Sequence, residues 1–192
     1  MNEIAFRKLF VTLFPRARHG IMDAICDIAV TRLELLDEFR LSFFLAQTAH
    51  ESLGYSALRE FGSESYFGRY EGRADLGNTI PGDGPRFRGR GILQVTGRAN
   101  YESLAREAMI PEIMVDPTLL ERPDLATISC CWYWEKHDLN RFADLCSDDQ
   151  AHKSDNFRKL TKAINGGYNG LGKRLVLLAQ VEDAIGLFGV FA

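Results

Sequence analysis

The stretch LSFFLAQTAHES, residues 41–52, decides the fold class. Leu41, Phe43, Phe44, Leu45, Ala46 and Ala49 recur at helical spacing, and Gly54 follows where a helix can end in a left-handed turn. This predicts a helix over 38–53, and the same period continues to either side. Residues 2–14 place Ile4, Ala5, Leu9 and Leu13 on one face and stop at Pro15, which cannot extend a helix. Residues 20–36 carry Ile21, Ile25, Ile28 and Leu35 at mixed three- and four-residue steps. Residues 98–109, 123–138, 156–165 and 171–188 read as four further helices. Asp116-Pro117 and Arg122-Pro123 are natural entry points, because proline fits a first helical turn. The chain is therefore mainly α.

Its middle breaks the pattern. Residues 62–91 hold eight of the 17 glycines, with Pro81 and Pro85, and show no helical period. So long a glycine-rich stretch inside a domain is usually functional or disordered, and Tyr66, Phe67, Tyr70 and Phe87 argue for order. The expectation is a long central loop or a small β-hairpin, running into the strand-like Ile92–Thr96. No repeat, low-complexity tract or linker divides the sequence, so residues 1–192 read as a single domain.

Composition excludes several classes. With 192 residues, 46% hydrophobic, and a net charge of −3, the chain can build its own core. No run approaches the ~18 apolar residues of a membrane span. Glu3, Arg7 and Lys8 interrupt the first residues, so no signal peptide is read there, and a cytoplasmic origin is expected. A basic footprint for nucleic acid is lacking. Cys26, Cys130, Cys131 and Cys146 show no CxxC spacing and read as core thiols. His50-Glu51 does not extend to HExxH, since position 54 is glycine, and His19, His137 and His152 are scattered; no metal or cofactor is expected. There is no P-loop, dinucleotide fingerprint or nucleophile elbow.

Two constellations could carry chemistry. Gln47 and Glu51 are four apart and share one face of a helix that is otherwise apolar. A partly desolvated glutamate suits general-acid work; a solvent-facing helix-end carboxylate is the plainer alternative. Acid–base cleavage of a glycosidic bond would need a second carboxylate, from Glu60, Glu64, Glu71, Asp75 or Asp83. Glu60 is the nearest of these, with Arg59 and apolar flanks. In RFRGRGILQVTGRANY, residues 86–101, Arg86, Arg88 and Arg90 would point one way if extended, leaving room for an anionic ligand. Gly89 and Gly91 permit close approach of a ligand, and Gln94, Thr96 and Asn100 could grip sugar hydroxyls; a surface strand and turn is the plainer alternative. Trp132, Tyr133 and Trp134 read as core and groove wall. The apolar segment 175–192, with Lys173 and Arg174 as a thin polar face, reads as core packing.

Together, FLAQTAHES (44–52), FRGRGILQVTGRANY (87–101), RPDLA (122–126), CCWYW (130–134) and Ile164-Asn165-Gly166-Gly167 resemble glycoside hydrolase family 19, chitinases with a lysozyme-like fold, and more narrowly its phage endolysin branch. The first 40 and last 20 residues add little to the match. The resemblance implies that Glu51 is the general acid and Glu60, in Leu58-Arg59-Glu60-Phe61, the base, with Glu64 and Glu71 as alternatives. It puts the water-positioning hydroxyl on Thr96 and substrate contacts on His50, Tyr66, Gln94, Asn100 and Asn165, with Arg90 orienting the carboxylates. It implies a monomer that needs no cofactor, hydrolysing β-1,4 bonds of the peptidoglycan glycan strand with inversion. Its route to the periplasmic wall would be a holin-type lesion, without stable membrane insertion. A chitinase acting on poly-N-acetylglucosamine, an inert glycan-binding module and a lytic transglycosylase are the alternatives.

Overall fold

The computed structural model describes residues 1–146 and 149–192, and of Gln150 the backbone alone. Helix α1 (Glu3–Leu13) starts where the Asn2 side chain accepts from the Ala5 amide, and it buries Ala5, Phe6, Leu9 and Phe10. Helix α2 runs through Ile21–Ala24, a π-turn at Ile25–Ala29 and Val30–Arg32. Asp37 caps α3 (Glu38–Glu51), which buries every residue from Leu41 to Ala49. Then come α4 (Arg98–Glu107), α5 (Pro123–Lys136), α6 (Gln150–Asn165) and α7 (Leu171–Phe188). Helix α6 begins six residues before its predicted start. Asp149 caps it by accepting from the Ala151 amide, while its first turns carry no apolar period to read.

An element buried on all sides must be central, and α3 is. Helix α7 lies along it and α1 packs on α7. Phe43 meets Phe157 edge-on at 5.0 Å between ring centroids, Phe44 meets Trp134 at 5.1 Å, and Phe10 meets Tyr55 at 5.1 Å. Side chains of this size stabilise by about 1.5–3 kcal/mol each when fully buried. A second, smaller cluster of Phe87, Val95, Tyr101, Leu104, Ile113, Leu120 and Trp132 joins α4 and α5 to the glycine-rich segment.

That segment takes the long-loop form of the sequence expectation rather than the hairpin. It folds as single turns at Glu64–Phe67, Gly68–Tyr70, Ala74–Leu76 and Asp83–Arg86. Turns this short leave no periodic signature; local polar contacts hold them instead. Ser63 caps the first, Glu71 accepts from the Gly82 and Gly84 amides, and buried Asp83 pairs with Arg98. The strand-like 92–96 is also a turn, with Gly91 (φ 79°) and Gln94 (φ 54°) reversing the chain. Among the described residues β pairing amounts to two isolated antiparallel bridges, Arg59 with Arg90 and Arg90 with Val95. Cys130 and Cys131 are core thiols, while Cys26 and Cys146 are half-buried; all four are unpaired. No helix among the described residues is long and apolar enough to cross a membrane.

Candidate active site

Glu51 is the last residue of α3, and the predicted face-sharing with Gln47 holds. One guanidinium joins them: Arg174, in the first turn of α7, donates through Nη1 to Gln47 Oε1 at 2.6 Å and through Nη2 to Glu51 Oε1. The Gln47 amide donates to Thr161 Oγ1 at 2.8 Å, and the Thr161 hydroxyl donates to the Phe157 carbonyl at 3.0 Å. The result is a closed polar chain running from α6 through α3 to α7. Glu51 thus closes α3 facing the first turn of α7, which supplies the Arg174 guanidinium. Arg174 is thus a correction. It is buried at 2% exposure among side chains of three helices and belongs to no polar outer face.

His50 packs against the backbone of Gly170, where a Cβ would stand 2.5 Å from Nε2. Burial first, then the Arg174 charge, holds the imidazole below its ordinary pKa, so the ring is neutral at neutral pH. His50, Glu51, Leu93, Asn165, Asn169 and Arg174 line a cavity of about 350 Å³. Asn165 Nδ2 donates to the Asn169 carbonyl at 3.0 Å. A second cavity of about 330 Å³ is lined by Gln94, Thr96, Asn100, Trp132, Tyr133 and His137. Leu93 and Ile164 border both, so the two form one groove between the helical core and the smaller cluster.

Glu60 approaches this groove through Gly89. Its backbone amide donates to the Gly89 carbonyl at 2.8 Å, and the Gly89 amide donates to Glu60 Oε2 at 3.3 Å. Arg69 Nη2 and the Tyr70 hydroxyl donate to Oε1 at 2.8 and 2.9 Å. Tyr66 enters indirectly, with the Arg69 guanidinium 3.8 Å from its ring centroid. Gly89 lets these side chains close in: a Cβ there would lie 2.9 Å from Gln94 Oε1 and 3.2 Å from Thr96 Oγ1, so both would have to shift. One residue therefore brings Glu60, Gln94 and Thr96 together. The Thr96 hydroxyl donates to the Gln94 carbonyl at 2.9 Å, and Asn100 Nδ2 donates to the Thr96 carbonyl at 2.8 Å.

The other acids are placed differently. Glu71 spends both oxygens on the Gly82 and Gly84 amides, and Glu64 is an exposed first residue of a one-turn helix. Arg90 departs from the role implied for it. Its buried guanidinium donates to Glu121 at 3.1 Å, to the Arg86 carbonyl at 2.8 Å and to the Tyr101 hydroxyl at 3.2 Å, and to neither candidate carboxylate. Nor do Arg86, Arg88 and Arg90 share a side, because Arg86 ends a helical turn and donates to the Met114 and Val115 carbonyls. Arg174, Asn169, Arg69 and Tyr70 were not predicted. The Asn165–Gly170 stretch, NGGYNG, was the one sequence signal pointing toward the turn that presents Arg174.

No family profile matches the chain. It is 27% identical over 205 residues to a glycosyl hydrolase family 19 domain-containing protein of Haemophilus influenzae, covering 92% of this chain and 93% of that one. It is 31% identical over 163 residues to acidic endochitinase Q of Nicotiana tabacum, covering 77% of this chain and 58% of the plant protein. The chain thus spans nearly all of the bacterial relative but under two thirds of the plant one. Among solved structures, chitinase C from Streptomyces griseus HUT6037 superposes with a TM-score of 0.71 at 18% identity, over 93% of this chain and 91% of that one. A bacterial family 19 chitinase gives 0.67 at 17% identity, over 93% of each chain. The mainly helical, lysozyme-like fold is the one these structures share.

Proposed function

Since the chain belongs to glycoside hydrolase family 19, we propose that it hydrolyses the β-1,4 bonds of the peptidoglycan glycan strand by single displacement with inversion. Glu51 in its acid form donates a proton to the leaving glycosidic oxygen. Glu60 as carboxylate takes a proton from a water on the opposite face of the sugar, and the Thr96 hydroxyl holds that water. Arg174 fixes the position of the acid. Gln94, Asn100, Asn165 and neutral His50 offer sugar hydroxyls donors and acceptors without charge.

The observation that supports the reaction type is two carboxylates held by separate networks: Glu51, lining the groove, by Arg174, and Glu60 by Arg69, Tyr70 and the Gly89 that packs against Gln94 and Thr96 of the groove. Wall glycan as substrate is supported by the likeness of the HES and FRGRG segments to the endolysin branch. On this reading the protein is a monomeric phage or prophage endolysin, made in the host cytoplasm and reaching the periplasmic wall through a holin-type lesion. Chitin hydrolysis is the second reading, favoured by the plant endochitinase among its relatives.

Mass spectrometry of soluble products from purified peptidoglycan tests the proposal. Hydrated muropeptides with a new reducing sugar are expected, and the reducing sugar identifies the bond between N-acetylmuramic acid and N-acetylglucosamine that is cut. Intact glycan with only released peptides would overturn the reading. No wall product alongside cleavage of chitin oligomers would transfer the activity to chitin.

A further inference from the structure

Of the three arginines in Arg86–Arg90, two are spent on the protein itself, and Arg88 is not. Arg86 serves the Met114 and Val115 carbonyls, and Arg90 serves Glu121. Among the described residues, Arg88 is the one lysine or arginine that is not fully exposed yet makes no ion pair, and its buried Nε has no hydrogen-bond partner. An arginine is permanently charged, and a buried donor left without an acceptor is costly, so a fold retains one where something else supplies the acceptor.

Its backbone and head group each have a partner. The Arg88 carbonyl accepts from the Tyr101 hydroxyl at 3.0 Å, and Cζ lies 5.0 Å from the ring centroid of buried Phe67. The next residue is Gly89, whose amide donates to Glu60. Arg59, exposed and without an ion pair, precedes Glu60, and Arg69 binds it. Arg69 thus bonds the candidate base, Arg59 precedes it in sequence, and Arg88 stands one residue before the Gly89 that donates to it, in a chain whose net charge is −3. One carboxylate neutralises one of these cations; the surplus suits an anionic ligand rather than a neutral one.

We propose that Arg88 is a specificity residue that binds a carboxylate of the wall strand beside the scissile bond, and so favours that strand over uncharged poly-N-acetylglucosamine. This rests on the wall-glycan reading above. The carboxylate is either the lactyl acid of a peptide-free muramic acid or an acid group of the stem peptide; both present a planar anion to the fork.

The test compares Arg88→Gln and Arg88→Lys with the wild type on native peptidoglycan and on peptidoglycan whose carboxyls have been amidated. Wild type is expected to prefer the native strand, mainly through KM, with the preference weakening as salt rises. In Arg88→Gln the ratio of native to amidated kcat/KM should fall at least tenfold, and Arg88→Lys should recover part of it. Circular dichroism identifies a variant that has not folded, and the Lys variant then carries the comparison. Strands trimmed of peptide by an amidase separate the sources: a retained penalty assigns the lactyl acid, a lost one the stem peptide. An unchanged ratio in both variants overturns the assignment while leaving the wall reading intact. Wild type inactive on every wall substrate overturns the wall reading and this inference with it.

Discussion

The two candidate carboxylates are about equally exposed, with side chains at 24% for Glu51 and 20% for Glu60, yet they are held in opposite ways. Glu51 ends a helix buried through most of its length and is bonded by a buried guanidinium 123 residues away in sequence. Glu60 lies outside any helix and is bonded by donors 9, 10 and 29 residues away, two of them in the same one-turn helix. The acid is oriented by the packing of three helices, the base by local turns. Disturbing the acid's support should therefore unsettle the fold, whereas disturbing the base's support should touch the rate alone.

The largest expected effects come from the carboxylates themselves. Glu51→Gln and Glu60→Gln keep shape but remove the proton donor and acceptor, and each should lower kcat by about 10²–10⁴. The melting temperature should hold in Glu60→Gln and fall in Glu51→Gln, which leaves the buried Arg174 guanidinium without its counter-charge. A Glu60→Gln variant with near-normal turnover breaks the comparison and moves the base to Glu64, the remaining glutamate with a free carboxylate in that segment. Next come the supports. Arg174→Met strands Gln47 and Glu51 and should cost about 3 kcal/mol of stability, read by denaturant unfolding. Arg69→Ala removes a largely exposed pair worth about 0–1 kcal/mol, so its kcat should fall with little change in unfolding midpoint. Equal destabilisation by both would erase the distinction between core-held and turn-held groups.

Gly170→Ala should be destabilising by more than about 1 kcal/mol, because φ is +71° there and the new Cβ meets the His50 ring. The smallest effect is in pH. His50 titrates lower in the fold than its ordinary value of about 6.5, so as pH falls through that range the unfolded chain takes up the proton first. Stability is accordingly undiminished above this range and declines below it. His50→Gln should flatten that part of the melting-temperature profile between pH 7.5 and 5.5.

How much could be read in advance follows the same division. The helices were legible wherever apolar residues recur every three or four positions, and the i, i+4 spacing placed Gln47 and Glu51 on one face. Arg174 was illegible because its partners come from helices far away in sequence; in an apolar run it looked like a thin solvent face. Arg90 failed for a related reason. Alternation in RFRGR suggests an extended strand, but the chain turns at Gly91, and Glu121 takes the charge. The turns at 64–86 are held by single caps and ion pairs, which leave no period to read. Glu60, Thr96 and Gln94 came from the resemblance and from local composition; that Gly89 unites them needed coordinates.

Proton NMR of the first product formed from a β-1,4-linked strand tests the central claim most directly. Two carboxylates acting on opposite faces with a water between them require about 6.5–9.5 Å of separation and invert the anomeric carbon. The account predicts a hydrated reducing end that appears first as the α-anomer and then mutarotates. A β-anomer formed first, or an anhydro end with no added water, would contradict it.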